Sequence, residues 1–161
     1  MELSDNHVFC TEEQIREVFQ RCFQFICSIF EKFAIRVERF VCSFHDSNKQ
    51  GKYHNDELLW KYAENMLVNA LEGLGVQFVK LEGEAAFYGP KLDIEVKAND
   101  GKKITIATIQ LDFVLPRKFN LSYINQKGEE QTPVILHYSA IGSYQRFISI
   151  LLEQKKGKLP F

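Results

Sequence analysis

The sequence predicts an α+β fold in which an antiparallel sheet is flanked by helices. Two long stretches with the apolar periodicity of helices come early in the chain, at about 12–33 and 55–74. Most of the short segments rich in β-forming residues follow them, and a third helical stretch ends the chain. Because helices and strands do not alternate regularly, this order favours a mainly antiparallel sheet over a parallel one.

The first helix is predicted from about Glu12 to Phe33. Thr11 and Gln14 have the spacing of a capping box, which satisfies free backbone N–H groups at the start of a helix. Apolar residues then recur at helical spacing, at positions 15, 18, 19, 22, 26, 29, 30 and 33. The next segment, "RVERFVCSF", is short and rich in β-forming residues, so it is predicted to be a strand.

The second helix is predicted to begin near Asn55, after a polar loop at 46–56, and to stop at Gly75. Antiparallel strands are predicted beyond it, beginning with "VQFVKL". The segment "KLDIEVKA" alternates apolar and polar residues, as a half-buried strand does. The turn "NDG" at 99–101 predicts a hairpin from that strand into the long strand "KKITIATIQLDFVL".

The last strands are predicted to form a second hairpin. The segments "FNLSYI" and "TPVILHY" flank the polar loop "NQKGEEQ", and Pro116 interrupts the chain before them. The final helix is predicted from about Ser143 to Lys155. No internal repeat or clear linker divides the 161 residues, a length typical of one domain.

Composition and charge limit the classes of function. The net charge is −1, so the chain has no overall basic field with which to hold nucleic acid. The one short basic candidate, "QKKGK" at 154–158, is more simply a solvated helix end. No apolar run is long enough for a membrane span, and the start "MELSDNHVF" does not resemble a signal peptide. The four cysteines lack CxxC spacing, which suggests free thiols, so we expect a cytoplasmic protein with no membrane partner.

The strand "ITIATIQLDF" changes character along its length. Ile104 and Ile106 have the same parity as Thr108, Gln110 and Asp112, so one face would turn from apolar to polar. Three explanations stay open: the face meets water, a β-bulge swaps the faces, or the polar residues form the floor of a cleft. In the last case Thr108 and Gln110 would point at a ligand.

Other candidate residues are also ambiguous from the sequence alone. Tyr88 precedes the turn-forming pair Gly89-Pro90 and is either a core aromatic or a donor that faces a ligand. His7 and His137 would suit a metal if the fold brought them together, but no HxxxH or CxxC spacing supports them. Two further histidines, His45 and His54, lie in a polar stretch and are predicted to face solvent.

Four stretches, in order, resemble the catalytic core of the threonyl-tRNA synthetases, which are class II aminoacyl-tRNA synthetases. They are "DNHVFCTEEQI" (5–15), "EGEAAFYGPKLDIEV" (82–96), "TIQLDF" (108–113) and "PVILHYSAIGSYQRFISILLEQ" (133–154). The resemblance runs from about Asp5 to Phe161. It implies that residues 1–161 are the C-terminal part of a class II catalytic core. The whole enzyme would activate threonine with ATP and transfer it to tRNA.

The resemblance implies a zinc site, which this family builds from one cysteine and two histidines. His7 and His137 match the two histidines. In the family, the zinc binds the amino group and the side-chain hydroxyl of threonine. A site that must bind a hydroxyl rejects valine much more strongly than an apolar pocket of the same shape would.

The resemblance also assigns residues to the amino acid and its adenylate. Asp5 matches a carboxylate that hydrogen-bonds the bound amino acid. Tyr88, Thr108 and Gln110 match further residues that line the amino-acid and adenylate pocket. Lys91 is expected near the reacting carboxylate or the phosphates.

The nucleotide is expected to meet the start of the last helix. Arg146 matches the arginine of class II motif 3, which clamps the terminal phosphate of ATP, and a guanidinium suits this role because it is always charged and can bind phosphate bidentately. Gln145 stands where motif 3 usually has a glutamate and can still hydrogen-bond the nucleotide. Magnesium would neutralise the phosphates. The full-length enzyme is expected to be a homodimer.

The sequence also departs from the family. The chain begins after the place of motifs 1 and 2, so it is expected to lack much of the class II dimer interface and a second ATP-binding arginine. The cysteine that ligates zinc is also absent, and Cys10 is not at its position. This chain is also expected to lack an editing domain and an anticodon-binding domain. Tyr138 stands where an arginine is usual, and Thr105, Ile106 and Ala107 replace a usual Gln-Cys-Gly run.

Two hypotheses follow for the function. In the first, the chain is a fragment of a threonine–tRNA ligase and is inactive by itself, because one arginine and one zinc ligand are missing. In the alternative, it is a stand-alone, degenerate synthetase-like protein with a binding or non-catalytic role. A motif 2 encoded upstream in frame would support the first, and a natural start at Met1 with a stop after Phe161 would support the second.

Overall fold

The computed structural model describes residues 2–49 and 51–159, so the ends of the predicted domain, residues 1 and 160–161, lie outside it. Its architecture is one large sheet with the long helices packed on one face, which confirms the predicted α+β class. The elements are β1 (Asn6–Cys10), α1 (Ile15–Lys32), β2 (Arg39–Phe44), α2 (Glu57–Glu72), β3 (Phe78–Glu82), β4 (Lys91–Lys97), β5 (Lys103–Asp112), α3 (Leu115–Lys118), β6 (Tyr123–Ile124), β7 (Glu130–Gln131), β8 (Val134–Ser139) and α4 (Tyr144–Lys155).

The main sheet of the described residues has the strand order β1-β8-β5-β4-β2-β3. Its strand pairs are antiparallel, except that β2 and β3 run parallel. The prediction that "VQFVKL" belongs to an antiparallel array is therefore wrong. Helix α2 connects β2 to β3 and returns the chain to the end of the sheet where β2 began, so β3 runs in the same direction as β2.

The ends of the sheet differ from the prediction in two further ways. Strand β1 was not predicted, and it pairs with β8 along the sheet edge. The expected hairpin of "FNLSYI" with "TPVILHY" does not form: β6 pairs with β7 instead, and β8 lies between β1 and β5 in the main sheet. Pro133 separates β7 from β8, and the apolar residues that follow it, Val134 to Leu136, are buried in the core.

The helices begin as the sequence predicts. Thr11 and Gln14 form the capping box, although its first turn is a 3-10 turn that leads into α1. Asp56 caps α2 by accepting a hydrogen bond from the backbone N–H of Leu59, and Ser143 caps α4 in the same way. Helix α2 ends at Glu72, slightly before the predicted stop. No helix in the described part of the chain combines the length and the apolar character that crossing a bilayer requires.

A β-bulge explains the change of character along β5. In the pairing with β4, Ala107 is opposite Ile94 and Thr105 is opposite Glu95, so Ile106 is the extra residue. The bulge shifts the core-facing residues from even to odd positions, and the buried residues Ile109 and Leu111 then continue the core face. Two of the three explanations therefore hold. The β-bulge is present, and the polar residues of β5 lie on the face opposite the core, where they form a polar floor.

Candidate functional site

A cleft opens on the polar face of the sheet, opposite the core. Its floor comes from β5 and β8, one wall from the segment before β4, and the other walls from the N-terminal residues and the start of α4. The cleft brings together six of the predicted site residues, whereas His7 is not among the residues that line it. The six are Asp5, Tyr88, Thr108, Gln110, His137 and Arg146.

The floor offers polar groups that suit a small polar ligand. Thr108 Oγ1 is buried and has no hydrogen-bond partner among residues 2–49 and 51–159. Gln110 Oε1 accepts a hydrogen bond from the Tyr88 hydroxyl. Burial raises the pKa of Tyr88 to about 12, and the negative charges of Asp112 and Asp5 act in the same direction. Tyr88 therefore remains a neutral hydrogen-bond donor at physiological pH.

The turn at Gly89 holds Tyr88 over this floor. A Cβ atom on Gly89 would lie 1.7 Å from the carbonyl oxygen of Leu111, so only glycine allows the turn to approach β5 so closely. The adjacent carbonyl of Pro90 accepts a hydrogen bond of 3.0 Å from the backbone N–H of Leu111. These contacts fix the wall that carries Tyr88 against the strand that carries Gln110.

The two predicted metal-binding histidines are neighbours on adjacent strands. His7 and His137 are paired directly across β1 and β8, and their ring centroids lie 4.7 Å apart. The ring of Tyr88 lies 4.9 Å from that of His137. No group of three or more His, Cys, Asp and Glu side chains suited to a metal occurs within residues 2–49 and 51–159. The described chain therefore offers two imidazoles and not a complete ligand set.

Asp112 is a site residue that the sequence reasoning did not identify. Its side chain is fully buried, and its Oδ2 lies 2.8 Å from Nε2 of His137. The available signal was its position, since it continues the polar face of Thr108 and Gln110 at the same parity. Alternation alone could not show that its partner would come from another strand.

Arg146 lies at the rim of the cleft, in the first turn of α4. Its Nη1 donates a hydrogen bond of 3.1 Å to the carbonyl oxygen of Thr105, next to the bulge in β5. Gly142, just before α4, has a positive φ of 60°, and a Cβ there would lie 3.0 Å from the carbonyl oxygen of Ile106. The bulge and the start of α4 are thus packed closely together, which sets the position of the guanidinium.

Two of the predicted nucleotide residues lie outside the cleft lining. Lys91 is opposite Gln110 on β4, but its Nζ pairs with Asp93 Oδ2 at 2.7 Å, and its side chain is only 23% exposed. Gln145 is exposed on α4 and is not among the residues that line the cleft. Tyr138, which replaces a usual arginine, turns its ring toward Phe25 of α1, with the centroids 6.4 Å apart.

A second polar cluster surrounds His45, away from the cleft. The prediction that His45 faces solvent is wrong, because its side chain is only 14% exposed, and His54 is also half-buried. The ring nitrogens of His45 lie 2.7 Å from Glu64 and 3.2 Å from Glu57, and its ring stacks on Trp60. Burial opposes the charged ring, but the hydrogen bonds and charges of the two glutamates outweigh it and raise the pKa of His45.

Comparisons with known proteins find relatives that match nearly the whole length of this chain. Residues 1–155 match the family described as the tRNA synthetase class II core domain (G, H, P, S and T). A threonine–tRNA ligase from Streptococcus equi subsp. zooepidemicus is 48% identical over 160 residues, and one from Streptococcus pyogenes is 47% identical. These matches cover 99% of this chain but 25% of each relative, so the chain spans about a quarter of their length.

A solved structure also matches this chain over nearly its whole length. The RNA-binding domain of threonyl-tRNA synthetase from Cryptosporidium parvum matches with a TM-score of 0.86 and 35% sequence identity. The match covers 98% of this chain and 38% of that one. At 35% identity, the two chains are similar in sequence as well as in fold.

Proposed function

This chain belongs to the tRNA synthetase class II core domain family, and we propose that it forms the C-terminal part of the catalytic core of a threonine–tRNA ligase. The observation that carries the proposal is the cleft itself. One face of the sheet collects six residues expected at a threonyl-adenylate site. Residues from five separate segments would not converge in this way if they served only as surface charges or core aromatics.

Threonine would bind over the floor of the cleft. Asp5 is exposed at one wall and would pair with the amino group of threonine. Tyr88 would meet the ligand as a hydrogen-bond acceptor, since its one hydroxyl proton is donated to Gln110 Oε1. The unpartnered hydroxyl of Thr108 supports a polar ligand here, because a buried hydroxyl is costly until it has a hydrogen-bond partner. Gln110 would orient Tyr88 and the amino acid.

His7 and His137 would contribute two ligands of a zinc ion. The donor set fits zinc in part, since imidazole nitrogen is a favoured zinc ligand and the two rings are adjacent. A third ligand would come from outside the described residues. When bound, zinc would supply a Lewis-acid contact to the amino and hydroxyl groups of threonine, which distinguishes threonine from valine.

ATP would meet Arg146 at the rim, where the guanidinium is exposed and held by one backbone hydrogen bond. Magnesium would share the neutralisation of the phosphates. In the ligase reaction, a carboxylate oxygen of threonine attacks the α-phosphorus. The bond to the β-phosphate breaks, and pyrophosphate leaves with the bonding electrons. The cleft would act by positioning and by charge stabilisation, and tRNA would accept the threonyl group in the full-length, homodimeric enzyme.

The isolated chain is proposed to be inactive in threonine activation. Among the described residues that line the cleft, Arg146 is the one arginine, and the histidine pair is an incomplete zinc site. Threonine-dependent exchange of pyrophosphate into ATP measures the activation step directly. We expect no exchange above background from the chain, and robust exchange would overturn the proposed inactivity.

Binding of threonine to the chain in the presence of zinc distinguishes the ligase proposal from the alternative, a stand-alone, degenerate synthetase-like protein. The alternative gains support from Gln145 and Tyr138, which stand where the family usually has charged residues. Gln145 is exposed, and the ring of Tyr138 faces α1. Heteronuclear NMR titrations of the chain with threonine and with valine, each in the presence of zinc, separate the two. Shifts in the cleft with threonine that exceed those with valine support the ligase assignment. Equal shifts with the two amino acids favour a degenerate chain that does not recognise threonine.

A further inference from the structure

The buried carboxylate of Asp112 is hydrogen-bonded at both of its oxygens. Oδ1 accepts hydrogen bonds from the backbone N–H groups of Val114 and Leu115, at 2.9 and 2.8 Å. Oδ2 lies 2.8 Å from Nε2 of His137, on the neighbouring strand. No part of the Asp112 side chain reaches solvent, so its orientation is fixed by these partners.

This arrangement determines the tautomer of His137. A carboxylate is an acceptor only, so Nε2 of the neutral ring must carry the proton that makes the hydrogen bond. Nδ1 is then the nitrogen that keeps a free lone pair. We infer that Asp112 is a positioning residue that holds His137 in the Nε2–H tautomer and leaves Nδ1 as its ligating nitrogen.

The tautomer matters for metal binding in the cleft only if His137 ligates zinc, which rests on the proposed function. A histidine that binds a metal commonly donates its other N–H to a carboxylate, which fixes the ring and makes the ligating nitrogen more basic. Here the carboxylate is itself anchored by two backbone N–H groups at the start of α3. The position of His137 is thereby coupled to the backbone where β5 ends.

A purely structural role for Asp112, as a cap on the turn at α3, predicts a different response to substitution. In Asp112→Asn, the amide oxygen can still accept the hydrogen bonds from Val114 and Leu115, so the cap is kept. Those two N–H groups also orient the amide, and its NH₂ group then replaces Oδ2 beside His137. Because an NH₂ group is a donor, Nε2 must become the acceptor and the proton must move to Nδ1.

The experiment measures the tautomer of His137 by long-range ¹H–¹⁵N correlation on the metal-free full chain, at a pH where the ring is neutral. The wild-type chain should show the Nε2–H tautomer, and Asp112→Asn should show the Nδ1–H tautomer. Asp56→Asn is the matched control, since it makes the same chemical change at the cap of α2 and keeps an acceptor for Leu59. The control should leave His137 unchanged. An Nδ1–H tautomer in the wild-type chain overturns the inference even if Asp112→Asn does not fold.

A second measurement links the tautomer to metal binding. Zinc affinity, measured by competition with a chromogenic chelator, should fall by about 10–100-fold in Asp112→Asn and stay unchanged in Asp56→Asn. The two failures are distinguishable. If the tautomer switches but the wild-type chain binds no zinc, the positioning role stands and the proposed zinc site in this chain fails. If the wild-type chain binds zinc and Asp112→Asn changes neither tautomer nor affinity, the positioning role is overturned.

Discussion

Replacing Gly89 with alanine tests the turn that holds Tyr88 over the cleft. In the native backbone, the new Cβ would lie 1.7 Å from the carbonyl oxygen of Leu111 and 2.9 Å from its carbonyl carbon. Both atoms belong to the backbone of a central strand, so no side-chain rotation relieves the overlap. Since non-bonded heavy atoms prefer separations of roughly 3.5 Å, the turn must move away from β5.

The cost follows from the two contacts that this movement affects. Overpacking against a rigid neighbour costs about 1–3 kcal/mol. Loss of the hydrogen bond from Leu111 N–H to Pro90 O costs about 1 kcal/mol more. We therefore expect Gly89→Ala to lower the free energy of unfolding by about 2–4 kcal/mol. For a domain of this size, that loss would lower the Tm by roughly 4–16 °C.

Urea unfolding followed by circular dichroism measures this loss. Gly73→Ala is a suitable control, because φ of Gly73 is −64° and the atoms nearest to the new Cβ would belong to the flexible guanidinium of Arg16. The control should change stability by less than about 0.5 kcal/mol. A Gly89→Ala variant as stable as this control would refute the close approach of the turn to β5, and with it the geometry assigned to Tyr88.

Three further substitutions test other parts of the structure. Thr108→Val should raise the free energy of unfolding by about 1 kcal/mol in urea titrations, because it removes a buried hydroxyl without a partner; a loss would show that the hydroxyl is satisfied. Gly142→Ala should lower it by about 1 kcal/mol or more, since φ is 60° and the Ile106 carbonyl is close; an unchanged Tm would contradict this. The raised pKa of His45 means that its protonated ring stabilises the folded chain fully below the ordinary histidine pKa. This contribution is lost as pH rises through the raised value. His45→Gln should remove that decline in urea midpoints, and a persisting decline would assign it to another group.

Local sequence patterns account for the helices and for much of the sheet. The capping residues Thr11, Asp56 and Ser143 stand at helix starts in the structure, because capping depends on residues only three positions away. Strand β1 was missed because its five residues carry no apolar alternation, and its strand character comes from pairing with distant β8. The hairpin of "FNLSYI" with "TPVILHY" was wrongly predicted for the same reason. A polar loop between two segments does not show which strand the second segment will pair with.

Features of the cleft that depend on the residue pattern of one strand could be predicted from the sequence. Features that depend on how two strands pair could not. Alternation within β5 placed Thr108 and Gln110 on one polar face and left a cleft floor as one of three explanations. The bulge at Ile106 could only be one of several explanations, because its position depends on register with β4. Asp112 was overlooked since its partner, His137, stands 25 residues further along the chain.

The assignment of the cleft to threonyl-adenylate is tested most directly by mapping where an adenylate analogue binds. The probe is a non-hydrolysable threonyl-adenylate analogue, titrated into the isotope-labelled chain with zinc, and compared with the corresponding valyl analogue. We predict that the largest amide shifts will lie at Tyr88, Thr108, Gln110, His137 and Arg146, with the threonyl analogue binding at least about tenfold more tightly. Shifts located elsewhere, or equal affinity for the two analogues, would contradict the assignment.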